Sequence, residues 1–191
     1  MFDLDGTLVD TTCEITLALN AVLVERGLPA VDEGAARGWI GRGAREIMAC
    51  AYRHACGGAE PDEPMLQAFE WHYAAQSGRC SRLRPEALDG LRALRSLGVA
   101  TALVTNKETR FAAAVLHAHD LWGLLDAVVC GDMLQHRKPD PLGVEHCLAR
   151  FRTAPQRALF AGDSDIDVTT ARNAGVALCP SLPAAARRLS A

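Results

Sequence analysis

Met1-Phe2-Asp3-Leu4-Asp5-Gly6-Thr7-Leu8-Val9-Asp10 opens the chain. Residues 1–4 read as the end of a buried strand running into a turn at Gly6-Thr7. Side chains two apart on an extended backbone face the same way, so Asp3 and Asp5 can flank one reacting centre. After Asp10, Thr11 and Glu14 have the spacing of a capping box. Ile15, Leu19, Val22 and Leu23 form the apolar stripe of the helix that box would open, and Gly27 stands where the helix would stop.

The pattern stays helical as far as Arg79. The spacing predicts a helix over 44–55, after the Gly41-Arg42-Gly43 loop, broken by Gly57-Gly58 and the segment from Pro61 to Pro64. A further helix over 65–76 presents Leu66, Phe69 and Tyr73. Beyond it the texture changes. Short apolar runs of strand type at 99–104, 127–130, 158–161 and 176–178 alternate with helical patterns at 86–97, 111–119, 140–151 and 165–174. Such alternation predicts an α/β fold with a doubly wound, mostly parallel sheet. The expected division is an α/β core, residues 1–10 and 80–191, with a helical insertion, residues 11–79, after the first strand.

Composition narrows the function classes. A chain of 191 residues, 49% hydrophobic and 23% charged, has the make-up of a globular domain and not of a disordered, collagen-like or coiled-coil segment. The 20 basic residues face 23 acids for a net charge of −3, so there is no broad basic field for nucleic acid. No apolar run approaches bilayer length, which argues against a membrane protein. Met1 leads straight into acidic residues with no signal-peptide pattern, and the seven scattered cysteines include no CxxC pair. They are expected to be free thiols in a reducing cytoplasm. Cys50, His54 and Cys56 lack a fourth ligand with zinc-site spacing and read as small apolar positions beside a surface histidine. Among the basic residues only Lys107 and Lys138 are lysines, in a chain that otherwise uses arginine.

Ligands of doubly wound sheets bind beyond the carboxyl ends of the strands. There the chain places Asp3, Asp5, Gly6 and Thr7; then Thr105, Asn106 and Lys107; then Lys138-Pro139; then Gly162, Asp163, Ser164, Asp165 and Asp167. Each group alone has an ordinary reading as a turn or a helix cap. Together they supply carboxylates for a hard cation, a nucleophile, and donors for an anion. The order, spacing and strand-end placement of all four groups are much harder to explain as separate turns and caps, and read as one functional site.

The four groups resemble the motifs of the haloacid dehalogenase superfamily: Asp3-x-Asp5-Gly6-Thr7, Thr105, Lys138, and Gly162-Asp163-Ser164-x-x-Asp167. The resemblance covers nearly the whole chain and is closest to bacterial phosphoglycolate phosphatases. Trp39-Ile40-Gly41-x-Gly43-Ala44, Val104-Thr105-Asn106-Lys107 and Lys138-Pro139-Asp140-Pro141 support it. It implies a Rossmann-like core with a helical cap and magnesium-dependent hydrolysis of a phosphate ester, most closely 2-phosphoglycolate. By the family pattern Asp3 is the nucleophile that forms an aspartyl-phosphate, and Asp5 the acid and base. Mg2+ is held by Asp3, Asp5 (through its backbone carbonyl) and Asp163, with Asp167 orienting the metal shell. Thr105, Asn106 and Lys138 hold the phosphoryl oxygens.

Asp5 also argues against carbon–halogen chemistry, because a halide leaves without a proton. A sugar-phosphate mutase of the β-phosphoglucomutase type is the second reading, although those enzymes usually carry a Ser-rich second motif. Substrate choice is expected in the cap, at the Gly41-Arg42-Gly43 loop, with Arg42 or Arg45 available for a small carboxylate. Lys107 could meet substrate from the core side, and hinges are expected near 9–12 and 79–85. Two departures from the family pattern stand out. Only Met1 and Phe2 precede Asp3, which is expected to loosen its placement, and an Ala/Arg-rich tail follows Cys179-Pro180. A truncated, weakly active relative that binds phospho-ligands or partners is therefore the competing class of function.

Overall fold

The computed structural model describes residues 1–179. Along the chain run β1 (Val9–Asp10), α1 (Thr12–Glu25), α2 (Glu33–Arg37), α3 (Ala44–Cys56), α4 (Glu63–Gln76), β2 (Arg82–Leu83), α5 (Pro85–Ser96) and β3 (Ala102–Val104). Then follow α6 (Thr109–Ala118), β4 (Ala127–Val129), α7 (Leu142–Phe151), β5 (Leu159–Ala161), α8 (Asp165–Asn173) and β6 (Ala177–Cys179).

β3 pairs in parallel with β4, and β5 with β6. The opening segment joins the two pairs, because Phe2 bridges in parallel to Leu103 on one side and to Ala161 on the other. The order is therefore β4-β3-Phe2-β5-β6. The Phe2 amide donates to the Ala102 carbonyl at 2.8 Å, and the Asp3 amide to the Ala161 carbonyl at 2.9 Å. The expected looseness of Asp3 is thus corrected: its backbone is bonded between neighbouring strands, and Asp3 is buried.

Side chains alternate across this sheet as a strand requires. Leu103 joins a core with Leu91, Leu94, Val115 and Leu116 from α5 and α6. Its neighbours Ala102 and Val104 join the opposite core, with Val144 and Cys147 from α7 and Ala171 from α8. Helices cover both faces, so the sheet is doubly wound and delivers its strand ends to one edge.

Helices α1–α4 bury a third core of their own. Ile15, Leu19 and Leu23 pack with Met48, Met65, Phe69 and Tyr73, and Phe111 of α6 reaches into this cluster from the other side. Where the chain passes between sheet and helices, β1 and β2 pair antiparallel, Val9 opposite Leu83 and Asp10 opposite Arg82. This two-residue ladder lies where hinges are expected.

Two local expectations are corrected, the Thr11 cap and the free Cys13 and Cys80 thiols. Thr11 does not cap α1; its hydroxyl donates to Asp5 Oδ1 at 2.7 Å, and Glu14 is buried instead of returning to the helix end. The break expected after the helix over 44–55 lies between α3 and α4, and Pro64 sits in the first turn of α4, where its missing N–H costs nothing, behind Asp62 as the cap. The short helix α2, capped by Asp32, has too few residues to show a period. Cys13 and Cys80, expected as free thiols, are joined in a disulfide with their Cα atoms 6.0 Å apart, because the two crossings bring positions 67 residues apart together. Cys50 and Cys56 are free, and His54 lies against Trp39. The tail after Cys179 lies outside the described residues. Among the described residues no helix is long and apolar enough to cross a membrane.

Candidate active site

Lys138 is the centre of the site. Its ammonium lies 2.7 Å from Asp3 Oδ1 and 2.6 Å from Asp167 Oδ1, with all three side chains buried. The Phe160 ring closes the space beneath it, 5.4 Å from Nζ. Burial alone would pull the ammonium's pKa down, but the two carboxylates outweigh it and hold Lys138 above the usual lysine value. Asp3 moves the other way from a usual carboxylate. Burial pushes it up, with Asp167 and Asp5 adding to the push and Lys138 opposing it, to about 7.

The turns around this centre are built for close approach. Gly6 has φ +85°, and a Cβ there would collide with the Asp163 carboxylate. The Thr7 hydroxyl donates to Asp163 Oδ1 at 2.6 Å. At the start of α8, Ser164 and Asp167 form a reciprocal capping box, with the Ser164 hydroxyl donating to Asp167 Oδ2 at 2.6 Å. A Cβ on Gly162 would collide with Asp167. Asp167 therefore has one oxygen on Lys138 and the other on its own cap, which fixes its orientation.

Asp3, Asp163 and Asp167 offer carboxylate oxygens that lie within 4.8 Å of one another. Hard oxygen donors at this spacing suit magnesium, which takes one or two carboxylates and keeps several waters. Asp163, exposed and free of any lysine partner, is the open member of the set. Next to the cluster is a cleft of about 400 Å³ lined by Asp3, Asp5, Gly6, Asp163, Ser164 and Asp165 on the sheet side. Arg37, Ile40, Gly41 and Arg42 line it from the helical side, and Arg84 lines it from the crossing.

The second strand end does more than expected of it. Thr105 is buried, and its hydroxyl accepts from the Lys107 amide at 3.1 Å. The Asn106 side chain has partners of its own within the protein. Its amide nitrogen donates to the Gly41 carbonyl at 2.9 Å and to the Lys138 carbonyl at 2.8 Å, so both of its protons are committed. It ties the loop before α3 to the backbone of Lys138. Glu108 adds a second tie, accepting from the Ala44 amide at the start of α3 at 3.1 Å. Gly43 has φ +88°, a backbone conformation that side chains rarely adopt.

Lys107 does not line the cleft. It is buried, with Nζ 2.8 Å from Asp5 Oδ1 and in contact with the Tyr73 hydroxyl, so the expectation that it meets substrate is corrected. Arg42 is exposed on the cleft wall. Arg45 faces away, paired with Glu63 and lying 3.6 Å from Glu70, so it belongs to a solvated helix face. Glu14 and Tyr73, both buried beside Lys107, carry no motif; helical spacing marks Tyr73 only as core.

The chain matches the family model of the haloacid dehalogenase-like hydrolases over residues 1–180. The chain belongs to the haloacid dehalogenase-like hydrolase family. It is 38% identical to "Phosphoglycolate phosphatase 1" of Pseudomonas aeruginosa over 180 residues, covering 92% of this chain and 66% of that protein. It is 35% identical to a phosphoglycolate phosphatase of Pseudomonas putida over 179 residues, again 92% of this chain and 66% of the relative. The chain thus spans about two thirds of the length of these two relatives. A solved structure described as a predicted phosphoglycolate phosphatase from Haemophilus somnus superposes with a TM-score of 0.85 at 33% identity, covering 93% of this chain and 81% of that one. In this chain the Asp3–Lys138–Asp167 cluster lies beyond the carboxyl ends of the strands, where doubly wound folds bind ligands.

Proposed function

We propose that this chain carries a magnesium-dependent phosphomonoester hydrolase activity that works through an aspartyl-phosphate on Asp3, with 2-phosphoglycolate as the preferred substrate. Helices α1–α4, within residues 11–79, act as a cap over the core formed by residues 1–10 and 80–191. The observation that carries this reading is Asp3 itself. It is a buried carboxylate at a strand end, held by Lys138 and backed by Asp163 and Asp167, on the wall of a cleft of about 400 Å³.

Asp3 attacks phosphorus with one carboxylate oxygen, and the bond from phosphorus to the ester oxygen breaks. Asp5, two residues on, gives its proton to the departing alkoxide. In the second half Asp5 takes a proton from water, the water attacks phosphorus, and the bond to Asp3 breaks to release phosphate. Lys138 holds Asp3 and screens its charge from the incoming dianion. Thr105 stands at the adjoining strand end as a hydroxyl for the phosphoryl oxygens. Asp3, Asp163 and the Asp5 backbone carbonyl would hold the magnesium ion, with Asp167 orienting them, and the ion supplies charge neutralisation between carboxylate and phosphate. Arg42, with Arg37 and Arg84 on the same cleft, gives cationic partners for the carboxylate of a small acid such as phosphoglycolate. The site is read as taking a small phosphorylated metabolite, and with a net charge of −3 the chain is not proposed to bind nucleic acid; it is proposed to work in the cytoplasm.

Steady-state phosphate release with magnesium tests this. Wild type is expected to hydrolyse 2-phosphoglycolate faster than other small esters, and Asp3→Asn to abolish turnover while remaining folded. Turnover that survives Asp3→Asn overturns the nucleophile. Equal rates on many esters overturn the substrate, and glucose 6-phosphate formed from β-glucose 1-phosphate without free phosphate indicates the mutase.

A further inference from the structure

Behind Asp5, away from the cleft, lies a buried polar cluster that the reaction scheme does not use. Lys107 Nζ donates to Asp5 Oδ1 at 2.8 Å and contacts the Tyr73 hydroxyl of α4, with Glu14 Oε1 of α1 at 3.9 Å. The ammonium also lies over the Tyr73 ring, 4.7 Å from its centroid. Glu14 in turn accepts from the Gly78 amide, just beyond α4, at 2.8 Å. Thr11 donates to the same Asp5 oxygen as Lys107, at 2.7 Å. The Lys107 backbone is fixed as well. Its amide donates to Thr105 Oγ1 and its carbonyl accepts from the Gly131 amide at 3.0 Å.

Three features give this arrangement a purpose beyond packing. Both donors to Asp5 fall on Oδ1, while Oδ2 has no hydrogen bond among the described residues, so one oxygen is clamped and the other is left for proton transfer. The clamp is made by the core through Lys107 and by the first crossing through Thr11. The ammonium is held in turn by groups on α1 and α4, so the helices and the Asp5 carboxylate share one buried charge network. Such networks are sensitive to removal of any single member.

We propose that Lys107 is a positioning residue that sets the Asp5 carboxylate and ties it to the placement of the helices through Tyr73 and Glu14. This rests on the reading of Asp5 as the acid and base. Lys107 touches neither substrate nor metal; it acts by fixing which Asp5 oxygen faces the leaving group.

The test measures kcat/KM of the full chain with magnesium over p-nitrophenyl phosphate, phenyl phosphate and 2-phosphoglycolate. p-Nitrophenolate departs without a proton, whereas the later members need one progressively more. Since kcat/KM ends at the first irreversible step, it reports the acid role of Asp5. Asp5→Asn is expected to lose about 10²-fold more on the poorest leaving group than on p-nitrophenyl phosphate. Lys107→Met is expected to show the same tilt, about tenfold or more, and Tyr73→Phe a smaller tilt in the same direction. Equal loss on all esters in Lys107→Met, with a tilt in Asp5→Asn, overturns the role of Lys107 alone. No tilt in Asp5→Asn overturns the acid reading of Asp5 and this proposal with it. If Lys107→Met loses its circular-dichroism signature, Tyr73→Phe decides, a flat loss there overturning the proposal.

Discussion

Lys138 shows how much one side chain's shape matters. Its ammonium sits between Asp3 and Asp167 at 2.7 and 2.6 Å, over the Phe160 ring. A guanidinium carries the same charge on a broad plane, a poor match for a gap that a compact point charge now fills. Lys138→Arg is expected to lower kcat by about 10²-fold or more, through displacement of Asp3, while circular dichroism stays native. Near-normal turnover would refute this. The scarcity of lysine already set Lys138 and Lys107 apart in an arginine-rich chain. At Lys138 the strand-end position agreed with where the side chain lies. At Lys107 it did not, because exposure or burial there depends on Tyr73 and Glu14, distant in sequence. Asn106 repeats the point: its position at a strand end was readable, but its partners Gly41 and Lys138 come from folding.

At the scale of elements, periodicity carried most of the chain. The strands at 102–104, 127–129 and 159–161 lie within the spans that alternation predicts, and the helices around them agree with their predicted spans to within two residues at each end. What failed were features too short for a period, or whose partner is remote: α2, the β1–β2 ladder, and the cap of α1. The disulfide belongs to this class. Cys13 stands at the start of α1 and Cys80 two residues before β2, so the bond staples the two crossings between sheet and helices. Closing a loop of 67 residues restricts the unfolded chain, and removing it by Cys13→Ser is expected to cost roughly 4 kcal/mol on the chain-entropy estimate. Urea unfolding with and without dithiothreitol checks this: the reductant should lower the midpoint of wild type and leave Cys13→Ser unchanged. A midpoint in wild type indifferent to reductant would contradict it.

For the whole molecule, the joint between the helices and the sheet is a matter of packing as well as of chain crossings. Phe111 belongs to α6 on the sheet, yet its ring lies 4.4 Å from that of Tyr73 in the core of α1–α4. Phe111→Ala leaves a void shared by both units, with an expected loss of about 3–5 kcal/mol in denaturant unfolding. If the helices dock loosely, the loss will be far smaller. Sequence by itself determined the class of fold, the order of its elements and the carboxylates and lysines at the strand ends, because alternation and helical period are local properties and motif spacing is linear. Tertiary structure alone decided which side chains meet: Lys107 with Asp5 and Tyr73, Asn106 with Gly41, Cys13 with Cys80. Those contacts join residues 34 to 102 positions apart. Nothing local encodes them, since they arise only when burial of three apolar cores brings the two crossings and the strand ends to the same edge of the sheet.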